Sequence, residues 1–237
     1  MLTHPSLQKS TQALLDLLYP PKCISCKAAN SWLCQSCFSR IPFITTSICN
    51  RCGTPVTAGV IPCQQCKNNP LEYIDGIRSA TSFDDNPIRP AIHSLKYRNH
   101  RAVVSTLTNF LVETYRRFHL VADVIVPVPL HASRLRERGY NQSELLAKKM
   151  GEVIDMPLNT STLQRIRPTR SQMTLGINER RHNVAEAFAC VNFDLSGRKI
   201  LLIDDVCTTG STLDACASTL KKNGADAVWG LTLAKTR

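Results

Sequence analysis

The chain has 237 residues, 43% of them apolar and 20% charged, and 29 Lys and Arg against 18 Asp and Glu leave a net charge of +11. That length suits one or two domains with a sizeable core. No window approaches the roughly 18 consecutive apolar residues of a membrane span, so no transmembrane helix is expected, and the basic excess biases the chain toward anionic partners: nucleic acid, nucleotides or a membrane surface.

In chain order, Leu7, Leu14, Leu15 and Leu18 recur at helical spacing and predict a short amphipathic helix that Pro20-Pro21 stops. The short apolar stretch Ala13–Leu18 contains Asp16 and does not read as a secretory signal. Residues 23–66 then carry four Cys-x-x-Cys pairs: Cys23/Cys26, Cys34/Cys37, Cys49/Cys52 and Cys63/Cys66. They hold eight of the eleven cysteines. Without a leader, a metal-binding framework in a reducing cytoplasm is expected over a disulfide framework. Each pair offers two thiolates, and four thiolates suit tetrahedral Zn²⁺, so eight predict two sites. The segment is too poor in apolar residues to fold alone, and metal binding would supply its folding free energy. Pairing of 23/26 with 34/37 and of 49/52 with 63/66 is simplest, with a cross-braced arrangement as the alternative. The zinc serves either as a staple or as part of a ligand-contacting surface.

Residues 67–90 read as linker and turns around a short strand at 76–83. Pro87–Tyr97 reads as a helix leading to Leu95-Lys96-Tyr97, and residues 101–118 as a second helix with Leu107, Phe110 and Leu111 on its apolar face. Val121–Leu130 is a buried strand with a stiff exit at Pro127 and Pro129. An arginine-rich loop follows, with Arg134, Arg136 and Arg138 ahead of Gly139, and Asn141 or Ser143 starts a helix over 144–152. Arginines at the C-terminal end of a strand suit a pyrophosphate or a nucleic-acid phosphate. Residues 163–189 place Arg165, Arg167, Arg170, Arg180 and Arg181 among polar residues, which predicts a basic lid between two extended arms.

The most informative stretch is Ile200-Leu201-Leu202-Ile203-Asp204-Asp205-Val206-Cys207-Thr208-Thr209-Gly210-Ser211-Thr212-Leu213. Four apolar residues predict a strand buried on both faces, typical of a parallel sheet. Two carboxylates, a hydroxyl-rich loop and a helix over 213–223 follow, and a last strand is expected at 227–233. A helix N-terminus at the C-terminal edge of a parallel strand suits a phosphate. Gly210 admits close backbone approach. Carboxylates beside a phosphate cradle make sense if the ligand also carries hydroxyls and a divalent cation such as Mg²⁺. The ligand read from these residues is a phosphorylated ribose.

This stretch resembles the phosphoribosyl pyrophosphate (PRPP) loop of type I phosphoribosyltransferases. Together with Val126-Pro-Val-Pro-Leu-His, Arg138-Gly-Tyr-Asn-Gln-Ser, Pro168-Thr-Arg-Ser-Gln, Glu179-Arg-Arg-x-Asn-Val-x-x-Ala-Phe and the four cysteine pairs, it resembles the ComF/GntX family of competence proteins. The resemblance covers nearly the whole chain. It implies an α/β fold: a type I phosphoribosyltransferase-like parallel sheet with flanking helices over 71–237, after an N-terminal helix and double zinc ribbon over 1–70. It implies that Asp204 and Asp205 bind ribose hydroxyls and Mg²⁺. It places Val206, Cys207, Thr208, Thr209, Gly210, Ser211 and Thr212 in the PRPP loop, and Pro129, Leu130 and His131 in the pyrophosphate loop. Residues 165–183 become the flexible lid. In 6-oxopurine salvage enzymes the position of Thr208 is an aspartate that meets the base. Here it is a hydroxyl, so PRPP binding follows more directly than phosphoribosyl transfer.

Two functions are expected on this basis. One is a cytoplasmic factor in competence and DNA utilisation that binds PRPP and single-stranded DNA. The zinc module, Lys96 and the arginines named above would meet DNA or pyrophosphate, and Trp32 and Phe38 would stack bases. Competence or recombination proteins would be its partners. The other is an active phosphoribosyltransferase using PRPP and Mg²⁺ on an unidentified acceptor.

Overall fold

The apolar run at 200–203 becomes strand β5 (Lys199–Cys207), fully buried from Ile200 to Ile203. Its neighbours are β2 (Val124–Pro127), the second apolar run, and β6 (Ala227–Lys235), with β1 (Gly76–Ser82) outside β6. The order is β1-β6-β5-β2 and every pairing is parallel. Parallel neighbours need long crossovers, and helices supply them here. The computed structural model describes residues 20–45, 47–56, 62–84, 86–168, 186–191 and 194–236. The helix expected over the first 18 residues lies outside this set, as do Arg170, Arg180 and Arg181 of the expected lid.

The helices are α1 (Gln35–Phe38), α2 (Gln64–Asn68), α3 (Arg89–Tyr97), α4 (Val104–Arg117), α5 (Ala132–Arg138), α6 (Gln142–Ile154) and α7 (Ser211–Lys222). Side chains alternate across the pleat. Leu201 and Ile203 enter a core with Leu95 of α3, Leu111 of α4 and Met150 of α6. Ile200 and Leu202 enter the opposite core with Leu213, Ala217 and Leu220 of α7. The expected parallel sheet with flanking helices is thus present, and both faces of β5 are covered.

The segment expected as an arginine-rich loop is instead α5. The His131 ring accepts the Ser133 N–H at 3.3 Å as its N-cap, and Gly139, at φ 78°, closes it in the left-handed region. Its exposed Arg, Leu and Glu are good helix formers. With no buried residue it shows none of the apolar periodicity that marks a helix in sequence.

The extended arms expected around the lid are β3 (Leu163–Arg165) and β4 (Phe188–Cys190), an antiparallel pair outside the main sheet. Each edge of the main sheet is covered. Residues 42–44 run against β1, with a Phe43–Thr81 bridge and Ile44 N–H donating to Ala80 O at 3.0 Å. Residues 157–159 bond to Ile125 of β2. An unpaired edge would invite pairing with other chains.

Candidate functional site

The eight cysteines fall into two clusters, Cys23/Cys26/Cys34/Cys37 and Cys49/Cys52/Cys63/Cys66, with the sulfurs of each within 4.8 Å of one another. The sequential pairing is therefore the one formed. The two clusters straddle the β1 edge of the sheet. Ile24 and Ile41, beside the first, join the core of α3 and α4, and the second enters the core of α7.

Each cluster contains a thiol held toward its ionised form. At Cys23 burial acts upward, but the N–H groups of Cys26, Cys34 and Ser25 outweigh it and bring the pKa down to about 6. The Cys66 thiol, donating to Cys52, brings Cys52 down to about 4 against burial, and Thr54 and Lys235 add to the effect. Four converging soft sulfurs fit tetrahedral Zn²⁺. Such a site supplies about 10–16 kcal/mol in small zinc modules. The module's buried isoleucines, Ile24, Ile41 and Ile44, supply about 1.5–3 kcal/mol each, so the metal sites dominate its stability.

The second cluster abuts the loop after β5. Ile77 N–H donates to Arg51 O at 2.7 Å, and Gly53, at φ 70°, lies so close to β1 that a Cβ would sit 2.3 Å from Ile77 O. Gly210, at φ 88°, packs on Ile77 and Leu71 from the other side, where a Cβ would come within 2.9 Å of Ile77 Cδ1. Only glycine meets both the conformation and the space at these two positions. Lys235, 3% exposed at the end of β6, donates to Thr208 O at 3.0 Å and reaches Cys207 Sγ at 3.7 Å. One buried ammonium thus serves the loop and acts electrostatically on Cys52.

The two carboxylates sit at the C-terminal edge of the sheet, and each is held by a different helix. Ser143 Oγ, in the first turn of α6, donates to Asp204 Oδ1 at 2.8 Å, and Asp205 N–H donates to the same oxygen at 2.9 Å. Lys96 Nζ, from the last turn of α3, lies 2.8 Å from Asp205 Oδ2, and Asp205 is 3% exposed. Burial and then the Asp205 charge push Asp204 up from 3.8 to about 6, against Lys96 and Ser143. Burial lowers the Lys96 pKa, but Asp205 and Asp204 together more than offset it, and its pKa is raised. The pair therefore carries more negative charge than its neighbours compensate, which is the setting for a cation or a hydroxyl donor.

Beyond Cys207 the chain turns through Thr208, Thr209 and Gly210 into α7. Gly210 offers no capping side chain, and Thr209 Oγ1 lies 2.8 Å from Ser211 Oγ and accepts the Ser211 N–H at 3.3 Å. Hydroxyls and the positive end of the helix dipole so converge beside the carboxylates. Val206 and Thr212 are half-buried in the same turn.

Residues 138–143 frame the other side. Tyr140 donates to Leu95 O, fixing α3, and Asn141 caps α6 by accepting the Ser143 N–H at 3.0 Å. Asn141 Nδ2 also donates to Val128 O at 3.0 Å, and Val128 N–H donates to Ile203 O at 2.9 Å. Pro129, Leu130 and His131 leave β2 from that anchored point. His131 is engaged as the α5 cap.

The expected basic residues do not all converge. Arg165 is depressed mainly by burial, with Arg134 adding and Asp204 opposing, so both of those charges lie within its field. Arg138 lies over the Tyr97 ring at 5.3 Å and donates to Gln142. Arg134 and Arg136 are exposed on α5. Arg167 points elsewhere and pairs with Glu186 at 3.4 Å, where both side chains are exposed. A groove of about 920 Å³ on the outer face of α7, lined by Tyr73, Phe188, Ser218 and Lys222 among others, does not include the carboxylates. Sequence reading missed Ser143 as the Asp204 partner, Lys96 as the Asp205 partner, and Lys235. The one available signal was Ser143 at the end of the Arg138–Ser143 motif. Among the described residues no helix is long and apolar enough to cross a membrane.

Comparison with known proteins bears on both halves of the chain. Residues 14–67 match the double zinc ribbon domain. The DNA utilization protein YhgH of Escherichia coli (strain K12) is 33% identical over 230 residues, covering 93% of this chain and 99% of that protein. Competence protein F of Haemophilus influenzae is 30% identical over 223 residues, covering 89% and 96%. Among solved structures, a purine phosphoribosyltransferase from Pyrococcus horikoshii aligns at 19% identity and a TM-score of 0.35, over 56% of this chain and 72% of that one.

Proposed function

The chain belongs to the ComF family of competence and DNA utilization proteins, and from that premise we propose that it binds PRPP with Mg²⁺ and handles single-stranded DNA in the cytoplasm. The observation that carries the PRPP reading is the paired Asp204 and Asp205, held by Ser143 and Lys96, directly before a hydroxyl-lined turn into α7.

In this reading Asp204 and Asp205 accept the ribose hydroxyls. Burial and the Asp205 charge hold the Asp204 pKa near 6, and a bound Mg²⁺ would offset that charge. Val206, Cys207, Thr208, Thr209, Gly210, Ser211 and Thr212 cradle the 5′-phosphate, and Pro129, Leu130 and His131 border the pyrophosphate. Lys96 and the arginines at 134, 136, 138, 165, 170, 180 and 181 supply the positive field for pyrophosphate or DNA, with Arg167 set aside by its pairing with Glu186. The module over residues 1–70 and the domain over 71–237 are the two working parts, the first metal-stapled and the second holding PRPP. Competence or recombination proteins are the expected partners.

Ser143→Ala gives a clean test, because it removes one hydrogen bond to Asp204 and no charge. PRPP with Mg²⁺ should raise the melting temperature of the wild type, and the rise should be clearly smaller in Ser143→Ala. No rise in the wild type would refute PRPP as a ligand. An equal rise in both proteins would refute the placement of the ribose at Asp204.

A further inference from the structure

Tyr97 stands on the last turn of α3 next to Lys96 and is 62% exposed, more than any other large apolar or aromatic side chain in the described surface. Its ring offers solvent a large apolar face with a polar tip. Its ring is set in place by its neighbours. The Arg138 guanidinium lies 5.3 Å from its centroid, and the His93 ring, one turn back on α3, lies 4.7 Å away at 46°.

The exposed charge around Tyr97 is predominantly positive. Residues 89–103 contain Arg89, Lys96, Arg98 and Arg101 and no acid, and the facing α5 contributes Arg134, Arg136 and Arg138 against Glu137 alone. Arg98, Arg101, Arg134 and Arg136 are exposed. Arg101 is itself stacked over Tyr140 at 4.7 Å, so part of this charge is held in place against a ring.

Trp32 and Phe38, the stacking residues expected in the zinc module, each also pack on another ring, and Phe38 stays 41% exposed. Trp32 sits edge-on against His100 at 4.6 Å, and Phe38 stacks on Phe110 of α4 at 5.9 Å and tilts against Phe43. Both help seat the module on the sheet domain.

We propose that Tyr97 is a base-stacking platform for single-stranded nucleic acid, with Arg98, Arg101 and Arg136 meeting the flanking phosphates. The proposal rests on the single-stranded DNA reading above and assigns it a surface on α3 and α5 instead of the zinc module's aromatics. An exposed ring set among exposed cations is the combination that sequence-tolerant single-strand binders use. Duplex DNA keeps its bases stacked inside, so it fits this surface poorly.

The test is anisotropy of a labelled oligothymidylate with the full zinc-loaded chain, as wild type, Tyr97→Ala, Tyr97→Phe and Arg136→Ala, over a range of salt. Tyr97→Ala should weaken binding about tenfold while leaving the salt slope unchanged, as expected for loss of one stacked base and no phosphate contact. Tyr97→Phe should stay close to wild type. Arg136→Ala should make the salt slope shallower. Tyr97→Ala binding as the wild type does, or Tyr97→Phe failing as Tyr97→Ala does, overturns the platform while leaving single-stranded DNA as a ligand. No binding by the wild type at low salt overturns both.

Discussion

Asp204 holds the most direct single-residue prediction. Its pKa, raised from 3.8 to about 6 by burial and by Asp205, means that folding favours its protonated form. The stability so gained is fully present below about pH 3.8 and is lost as pH rises through 6. At pH 7.5 the folded protein therefore carries an unfavourable carboxylate in the absence of ligand. Asp204→Asn keeps an oxygen that can accept from Ser143 Oγ and Asp205 N–H, and removes only the charge. The variant should exceed the wild type in stability by about 1–2 kcal/mol at pH 7.5, allowing for solvent screening at this partly exposed group. The difference should shrink toward zero near pH 4. Denaturant melts at several pH values measure it, and a difference independent of pH would disprove the assigned shift. Asp205 is held differently. It is buried against Lys96, so Asp205→Ala leaves a half-buried ammonium without its partner and should destabilise the fold.

At the scale of elements, the second cysteine cluster and the loop into α7 form one unit. All four of its cysteines are buried, Lys235 bonds the loop, and Gly210 packs on Ile77 and Leu71 behind it. The first cluster has an exposed Cys26 and a half-buried Cys34, and it packs on the other side of the sheet. Two Zn²⁺ per chain are expected by elemental analysis. Cys52→Ser with Cys66→Ser should remove one zinc and abolish PRPP binding together with a large part of the stability. Cys26→Ser with Cys34→Ser should remove the other zinc and leave PRPP affinity within a few-fold of wild type. Equal loss of PRPP binding in both double variants would contradict the coupling.

These elements differ in how far the sequence announces them. The β5–loop–α7 order is readable because a four-residue apolar run, two carboxylates and a Thr-Thr-Gly turn leave little else to form. The cysteine clusters are readable because spacing alone sets the ligands. The partners of the carboxylates are not readable that way. Ser143 meets Asp204 across 61 residues of chain, and Lys96 meets Asp205 only because α3 packs beside β5. Lys235 looks like a tail residue until the Lys235–Cys207 register puts it beside the loop. Helix α5 escaped because a fully exposed helix shows no apolar stripe.

At the scale of the whole molecule, part of the +11 excess lies on and beside α3 and α5, as Arg89, Lys96, Arg98, Arg101, Arg134, Arg136 and Arg138 against Glu137. Single-stranded DNA should therefore bind with a steep salt dependence. With about three phosphates neutralised, affinity should fall roughly tenfold or more for a fourfold rise in salt. A flat dependence would argue against an electrostatic mode. The C-terminal edge of the sheet carries Asp204, Asp205 and the start of α7, so on the proposed function the phosphates of two different ligands would meet in one region. The sheet is what unites these features, since β5 ends at the carboxylates, β6 at Lys235 and β2 at the Pro129 exit.

The claim that most of this depends on is that the carboxylate pair and the turn into α7 hold PRPP. Calorimetric titration of the zinc-loaded wild-type chain with PRPP and Mg²⁺ tests it most directly. A saturable heat at one PRPP per chain, lost in Asp204→Asn/Asp205→Asn, is the predicted result. The absence of heat from wild-type protein that retains both zincs and a cooperative melting transition would contradict it.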